Sequence, residues 1–198
     1  MIVVDSDFSA LEGTNCYCSE DSATHIRQAI SGLPLCAVHK IGTGDYHYVS
    51  LFWLERIREP FTLVLFDNHP DDQPSAFNPD TLSCGSWVRD ARLLPFCREV
   101  VWINSAEGSP MNLTSGEKNV YISIDLDVLS REYARTDWNQ GTMTLQELCG
   151  AVGQLKQSCR ILGADICGGL TPQKGATAED LATNEKTEEI LTNLFGDL

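Results

Sequence analysis

The segment Phe61–Phe66 is apolar almost from end to end, in a chain where such runs alternate with helical patterns. An apolar run of strand length suits a strand covered on both faces. Helices laid over both sides of a parallel sheet supply that cover. Further strands are expected at Ile2–Val4, Leu35–Ile41, Val100–Ile103, Val120–Ile124 and Arg160–Ala164. Between them, apolar residues recur at helical spacing: Ile26, Ala29 and Ile30; Val49, Phe52, Trp53 and Ile57; Trp87, Ala91 and Leu94. Thr144-x-x-Glu147 is a capping box opening a helix with Leu145, Leu148, Cys149, Val152 and Leu155 on one side. Thr177-x-x-Asp180 caps a last helix ending near Phe195. The alternation predicts an α/β fold: a three-layer α/β/α sandwich around a mostly parallel sheet, with residues 1–198 in one domain. The irregular stretches Asn68–Ser83 and Ser130–Met143 are long for connections in such a domain and point to functional loops.

Charge narrows the function. The 198 residues carry 28 acidic against 14 basic side chains, a net charge of −14. A chain so acidic repels phosphate backbones, which excludes nucleic-acid binding through a broad basic surface and disfavours anionic membranes. No apolar run reaches the length of a membrane span. The start, Met1-Ile2-Val3-Val4-Asp5, has no basic segment and reads as a strand, not a signal peptide. The spacing of the eight cysteines suggests no disulfide framework, so they are expected to be reduced thiols in a cytoplasmic protein. Cys16-Tyr17-Cys18 lacks the second pair that a metal site of that kind needs. A homo-oligomer is compatible with everything above.

In open parallel sheets, ligands bind outside the carboxyl ends of the strands. Gly42-Thr43-Gly44-Asp45-Tyr46-His47 follows one expected strand and Asp67-Asn68-His69-Pro70-Asp71 another. Asp125-Leu126-Asp127 and Asp165 follow two more. Carboxylates crowded at one sheet edge repel each other, and some would protonate unless a cation sits among them. In an extended segment alternate side chains share a face, so Asp67, His69 and Asp71 are expected to converge, and Asp125 with Asp127 likewise. Oxygen-rich donors with some imidazole favour Mn(II), with Fe(II), Co(II) or Zn(II) as competitors, and the donor count suits two ions. An Asp-x-Asp after a strand is also a common helix cap, and His47 alone could be a packed loop residue. His39, inside a strand, and His25, on a helix, are read as structural. Asp45 is read as a cap or as a neighbour that orients the ligands.

These residues resemble the arginase–agmatinase (ureohydrolase) superfamily, of which the chain would be a short and divergent member. The resemblance runs from about residue 35 to 172. Gly42–His47 is similar to that family's Gly-Gly-Asp-His segment, with Tyr46 added before the histidine. Asp67-Asn-His69-Pro-Asp71 and Ser123-Ile-Asp125-Leu-Asp127 resemble its Asp-Ala-His-x-Asp and Ser-x-Asp-x-Asp segments. Gly141-Thr142 and the following helix, and Asp165-Ile166 before Pro172, are weaker likenesses. The resemblance implies a three-layer fold and a binuclear manganese centre. His47, Asp71, Asp67 and Asp125 would hold one ion, and His69, Asp67, Asp125 and Asp127 the other. It further implies a hydrolase of non-peptide C–N bonds, in which a metal-bridging hydroxide attacks an amidine or guanidinium carbon and Asp71 orients that hydroxide. The substrate would be a small, cationic molecule.

Departures qualify the chemistry. Where the family's final segment carries a glutamate that grips the guanidinium, this chain has Gly168 or Gly169, and Asp165 is the expected partial substitute. Where many members have a proton-shuttling histidine, it has Ser83-Cys84-Gly85, so Cys84 is either a candidate acid or nucleophile or a thiol that only fills space. The aspartate that usually closes the Ser-x-Asp-x-Asp segment is Ser130. Two alternatives remain open: a catalytically silent metal-binding relative, and a single-zinc amide hydrolase of the deacetylase type.

Overall fold

Six strands form one sheet in the computed structural model, which describes residues 1–76, 78, 80–105 and 116–196. They are β1 (Ile2–Asp5), β2 (Ala37–Gly42), β3 (Phe61–Phe66), β4 (Cys97–Ile103), β5 (Asn119–Asp125) and β6 (Arg160–Cys167). Their spatial order is β1-β2-β6-β5-β3-β4, and every neighbouring pair is parallel. The sheet is thus wholly parallel, beyond the mostly parallel one expected.

Five helices cover it: α1 (Glu20–Ile30), α2 (Val49–Leu54), α3 (Trp87–Ala91), α4 (Leu145–Ser158) and α5 (Ala178–Leu194). The strands' alternating side chains divide the core in two. Leu63, Leu65 and Tyr121 pack with Ile26 and Ile30 of α1, Phe52 and Trp53 of α2, and Trp87 of α3. Val64, Phe66, Ile122 and Ile124 pack with Leu148, Val152 and Leu155 of α4 and with Leu191 of α5. This is the expected α/β/α arrangement. All six residues of β3 are buried, which is why its sequence shows no polar alternation.

The helix starts follow their capping residues. Thr144 accepts from the Glu147 amide at 3.2 Å while Glu147 accepts from the Thr144 amide at 2.8 Å. Thr177 and Asp180 make the same reciprocal pair. α1 starts at Glu20, because the Ser19 hydroxyl caps it by accepting from the Ser22 amide.

One boundary bears on function. β6 does not stop at Ala164 but continues to Cys167, so Asp165 lies inside a strand and not beyond its end. A buried acid interrupts the apolar pattern, and the pattern alone therefore ends the strand too early. The residue that reaches the end of β6 beside Asp125 is Cys167, its register partner.

Candidate metal centre

The four central strands, β2, β6, β5 and β3, all end on one edge, and their order reverses there relative to the chain. That is where an open parallel sheet forms a crevice. Three short segments bring acids and imidazoles into it.

After β2, a tight turn over Gly44–Tyr46 delivers His47 into the interior, where it is 1% exposed. Gly44 leaves room there for its neighbours. A Cβ would come within 2.9 Å of Trp138 Cδ1 and 3.2 Å of Asp125 Oδ2. After β3, the chain leaves the sheet. Asp67 and His69 are linked through the His69 amide, which donates to Asp67 Oδ1 at 2.6 Å, and Asp71 has a left-handed backbone with φ of 47°. The three do converge, but through a folded loop and not through the extended alternation expected of Asp67, His69 and Asp71. After β5, Asp125 caps the turn Leu126–Val128 by accepting from the Asp127 amide at 2.9 Å. The capping and the site-forming readings of Asp125 are both true: Oδ1 caps, and Oδ2 faces His47 at 3.5 Å.

The six sequence-predicted ligands come together. His47 Nδ1 lies 3.1 Å from Asp67 Oδ2 and 3.1 Å from Asp71 Oδ2. His69 Nδ1 lies 2.8 Å from Asp127 Oδ2 and 3.6 Å from Asp67 Oδ1. Asp67 belongs to both halves, since one oxygen faces each histidine. Two donor groups result, His47–Asp67–Asp71 and Asp67–His69–Asp127.

The state of His47 tests whether a cation fits. The Ser123 hydroxyl donates to Asp165 Oδ1 at 2.7 Å, so toward His47 it accepts the Nε2 proton, at 2.8 Å. A neutral ring then has its lone pair at Nδ1, among carboxylate oxygens. That buried atom makes no aligned hydrogen bond among the described residues. Donors about 2.1 Å from an octahedral ion and at right angles to one another lie about 3 Å apart. The spacing of Nδ1 and the two oxygens matches this, and the arrangement is repulsive without a cation. The residues fit a divalent ion.

Electrostatics agree. Two like charges about 4 Å apart at an effective dielectric of about 20 repel by about 4 kcal/mol. Burial, then Asp127 and Asp67, push the Asp125 pKa well above the usual carboxylate range. Burial raises Asp127 too, although His69 works against it. Without metal the histidines take up the imbalance as protons. Hydrogen bonds to Asp127 and Asp67 raise His69 to about 10. Burial opposes charge on His47, but Cys167, Asp67 and Asp71 outweigh it and hold its pKa well above 6.5.

Above these donors lies a cleft of about 410 Å³, walled by Pro70, Pro74, Ala76, Cys84, Gly85 and Trp138 with the carboxylates as its floor. Trp138 comes from the long loop after β5. Its indole donates to Asp45 at 3.2 Å and its ring stands edge-on to His69 at 6.0 Å. Asp45 is no cap. Its carboxylate takes Trp138 and Lys174, and Lys174 also pairs with Asp137 at 2.9 Å. Asp45 therefore fixes the loop that roofs the cleft. Trp87 donates to Asp71 Oδ2 at 2.8 Å and holds that carboxylate in place.

Two sequence-based roles need correction. Asp165 is fully buried beneath Ser123 and His47 and does not line the cleft, so it cannot grip a substrate; its reach is through Ser123 to the His47 ring. Cys84 does line the cleft, but burial, then Asp71, Cys16 and Asp45, push its thiol up to about 12. That is opposite to the depressed pKa of an activated thiol. Two residues were missed. Trp138 lies in the segment that carries the Gly141-Thr142 likeness, which assigns it no role, and Cys167 is hidden because the apolar pattern ends β6 at Ala164. His39 is structural as read: its ring stacks on Trp53 at 3.6 Å.

Position 168, where the resemblance leads one to expect a glutamate, cannot carry one. Gly168 has φ of 102°, and a Cβ there would lie 2.1 Å from Asp125 Oδ1 and 2.8 Å from the Leu126 nitrogen. No side chain fits at that position beside Asp125.

Comparison with known proteins gives the fold a context. No family model matches the chain. An uncharacterised protein of Thermotoga maritima is 34% identical over 141 residues, covering 65% of this chain and 56% of its own length, so the match spans little more than half of that relative. Among solved structures, the arginase of Bacillus caldovelox superposes with a TM-score of 0.69 at 15% identity, covering 93% of this chain and 79% of its own. Formimidoylglutamase from Bacillus subtilis gives 0.64 at 16% identity, with 89% and 67% covered. Proclavaminate amidino hydrolase from Streptomyces clavuligerus gives 0.63 at 16% identity, with 88% and 70% covered. At such identities the likeness is one of fold.

Proposed function

We propose that this chain, whose fold is that of the arginases and ureohydrolases, is a two-metal hydrolase of a non-peptide C–N bond in a small amide, amidine or guanidino compound. The observation that carries the reading is His47 Nδ1, buried 3.1 Å from two carboxylate oxygens with no aligned hydrogen bond among the described residues. His47, Asp67, Asp71 and Asp125 would hold one ion, and His69, Asp67, Asp125 and Asp127 the other. Mn(II) suits such donors, with Fe(II), Co(II) and Zn(II) as competitors. Two such ions supply ionised water near neutral pH and polarise the bond to be broken.

The chain's own residues supply the rest. Asp71, fixed by Trp87, stands at the cleft floor where a nucleophilic water needs a hydrogen-bond acceptor. Asp165, through Ser123, keeps the Nε2 proton on His47 and so keeps Nδ1 a donor of electrons. Trp138 and the prolines exclude water from one side of a substrate. The acidic floor favours a cationic or polarised group, while the apolar walls take a short aliphatic or planar body. Arginine itself fits less well, because position 168 has no room for a carboxylate that would bind the guanidinium. That same observation favours a second reading, a metal-binding relative without turnover.

The test is metal-quantified turnover. The purified chain, stripped and reloaded with Mn(II), should bind two ions and release ammonia or urea from a member of an amide, amidine and guanidino panel. Asp125→Ala should lose metal and at least a hundredfold of that turnover. Two bound ions with silence across the panel would favour the second reading. A single zinc would favour a deacetylase-like site, and failure to bind divalent metal would sink both readings.

A further inference from the structure

The end of β6 puts a thiol among the donors. Cys167 and Asp125 are register partners on adjacent parallel strands, so their side chains leave the sheet on the same face. Cys167 Sγ lies 3.3 Å from Asp125 Oδ2, and the residue is 2% exposed. Single donor atoms of His47, Asp125 and Cys167 all lie within 4.8 Å of one another. His47 brings to this group a buried nitrogen with no hydrogen bond among the described residues. Cys167 borders the apolar cluster beneath the sheet, but its sulfur faces a carboxylate, and a sulfur beside imidazole and carboxylate is a donor set in its own right.

We propose that Cys167 supplies a thiolate to the ion held by His47 and Asp125, and that this donor shifts the site's preference from Mn(II) toward Zn(II), Co(II) or Fe(II). The proposal rests on the reading of the cluster as a metal centre. Binding replaces the S–H bond with a sulfur–metal bond, and the proton passes to solvent. Thiolate is a soft donor, and softness selects against manganese, which prefers carboxylate, carbonyl and water oxygens. Oxygen-only donors beside His69 leave the second position harder, so the two ions need not be alike.

The experiment is Co(II) titration of the metal-free chain under reducing, oxygen-free conditions, followed by absorption and metal analysis. The wild type should develop a near-ultraviolet thiolate-to-cobalt charge-transfer band as the metal binds. Cys167→Ser should lose the band while still binding cobalt, whereas Cys84→Ser and Cys16→Ser keep it. In competition, the preference for Zn(II) over Mn(II) should fall by about tenfold or more in Cys167→Ser. Circular dichroism, with Cys167→Ala as a second variant, separates ligand loss from misfolding. Bound cobalt without the band, or a band that survives Cys167→Ser, overturns the proposal and leaves the metal centre standing. No bound cobalt at all overturns both.

Discussion

His39 and His47 lie eight positions apart and serve opposite ends, because their surroundings differ. His47 faces carboxylates. His39 faces a tryptophan ring, donates Nε2–H to the Pro34 carbonyl at 3.2 Å and meets the Tyr121 hydroxyl through Nδ1 at 2.9 Å. Burial pulls the His39 pKa down to about 4, and Arg56 adds to the effect. An unfolded histidine titrates near 6.5, so the folded state binds fewer protons between those values. The stabilisation is complete above about pH 6.5 and drains away as the pH falls toward 4. By pH 5 the loss is about 2 kcal/mol. His39→Asn, measured by thermal melts of metal-saturated protein, should start lower at pH 7 yet fall less between pH 7 and pH 5 than the wild type. An equal fall in both would remove His39 from the acid response. At this scale the sequence was legible where chemistry clusters: Asp67, His69, Asp71, Asp125 and Asp127 stand out because few structures gather so many acids. Cys167 was not legible, because a cysteine after a buried Asp165 carries no pattern until the register of β5 on β6 is known.

Elements were easier to read than their ends. β3 was found to the residue because burial on both faces leaves no polar position to confuse it. α4 and α5 were found from their capping boxes, which satisfy amide groups that the first turn leaves unpaired. α2 is shorter than its apolar face suggests, since Ile57 packs into the core from beyond the last turn. The loop carrying Trp138 is legible from its length and its Gly141-Thr142 likeness, but its place over the cleft is not, because its anchors, Asp45 and Lys174, come from distant parts of the chain. Thr144→Ala tests the capping account. Loss of the cap should destabilise the protein by about 1 kcal/mol in urea unfolding, with metal content unchanged. A destabilisation near zero would mean that packing of Leu148, Val152 and Leu155 alone holds α4 in place.

The molecule as a whole carries a net charge of −14 with several acids shut inside it, and its stability should depend on how that interior charge is met. Raised pKa values of Asp125 and Asp127, from burial first, and of His69, from Asp127 first, act in one direction. At these three groups the metal-free folded chain holds more protons than the unfolded chain. The stability these groups give is complete at low pH and is lost as the pH climbs, for His69 through about 10. Metal-free protein should therefore melt at lower temperature at pH 8.5 than at pH 6.5. Divalent cation at a hundred times its Kd at pH 6.5 should restore about 2.7 kcal/mol there, and the same concentration should restore more at pH 8.5, where binding is tighter because fewer protons must be displaced. Calorimetry with and without chelator reads this directly. A gain independent of pH would show that the acids are already paired without the ion.

Gly168 carries a consequence for anyone who would redesign the cleft. With φ of 102° and a neighbouring carboxylate oxygen 2.1 Å from where its Cβ would be, it blocks the exchange of this residue for an acid. An acid installed there would collide with Asp125 and the Leu126 nitrogen, so it would arrive at the expense of the donor floor of the cleft. Any anchor for a longer substrate has to be grafted onto the rim instead, on the segments that bear Trp138 and Cys84.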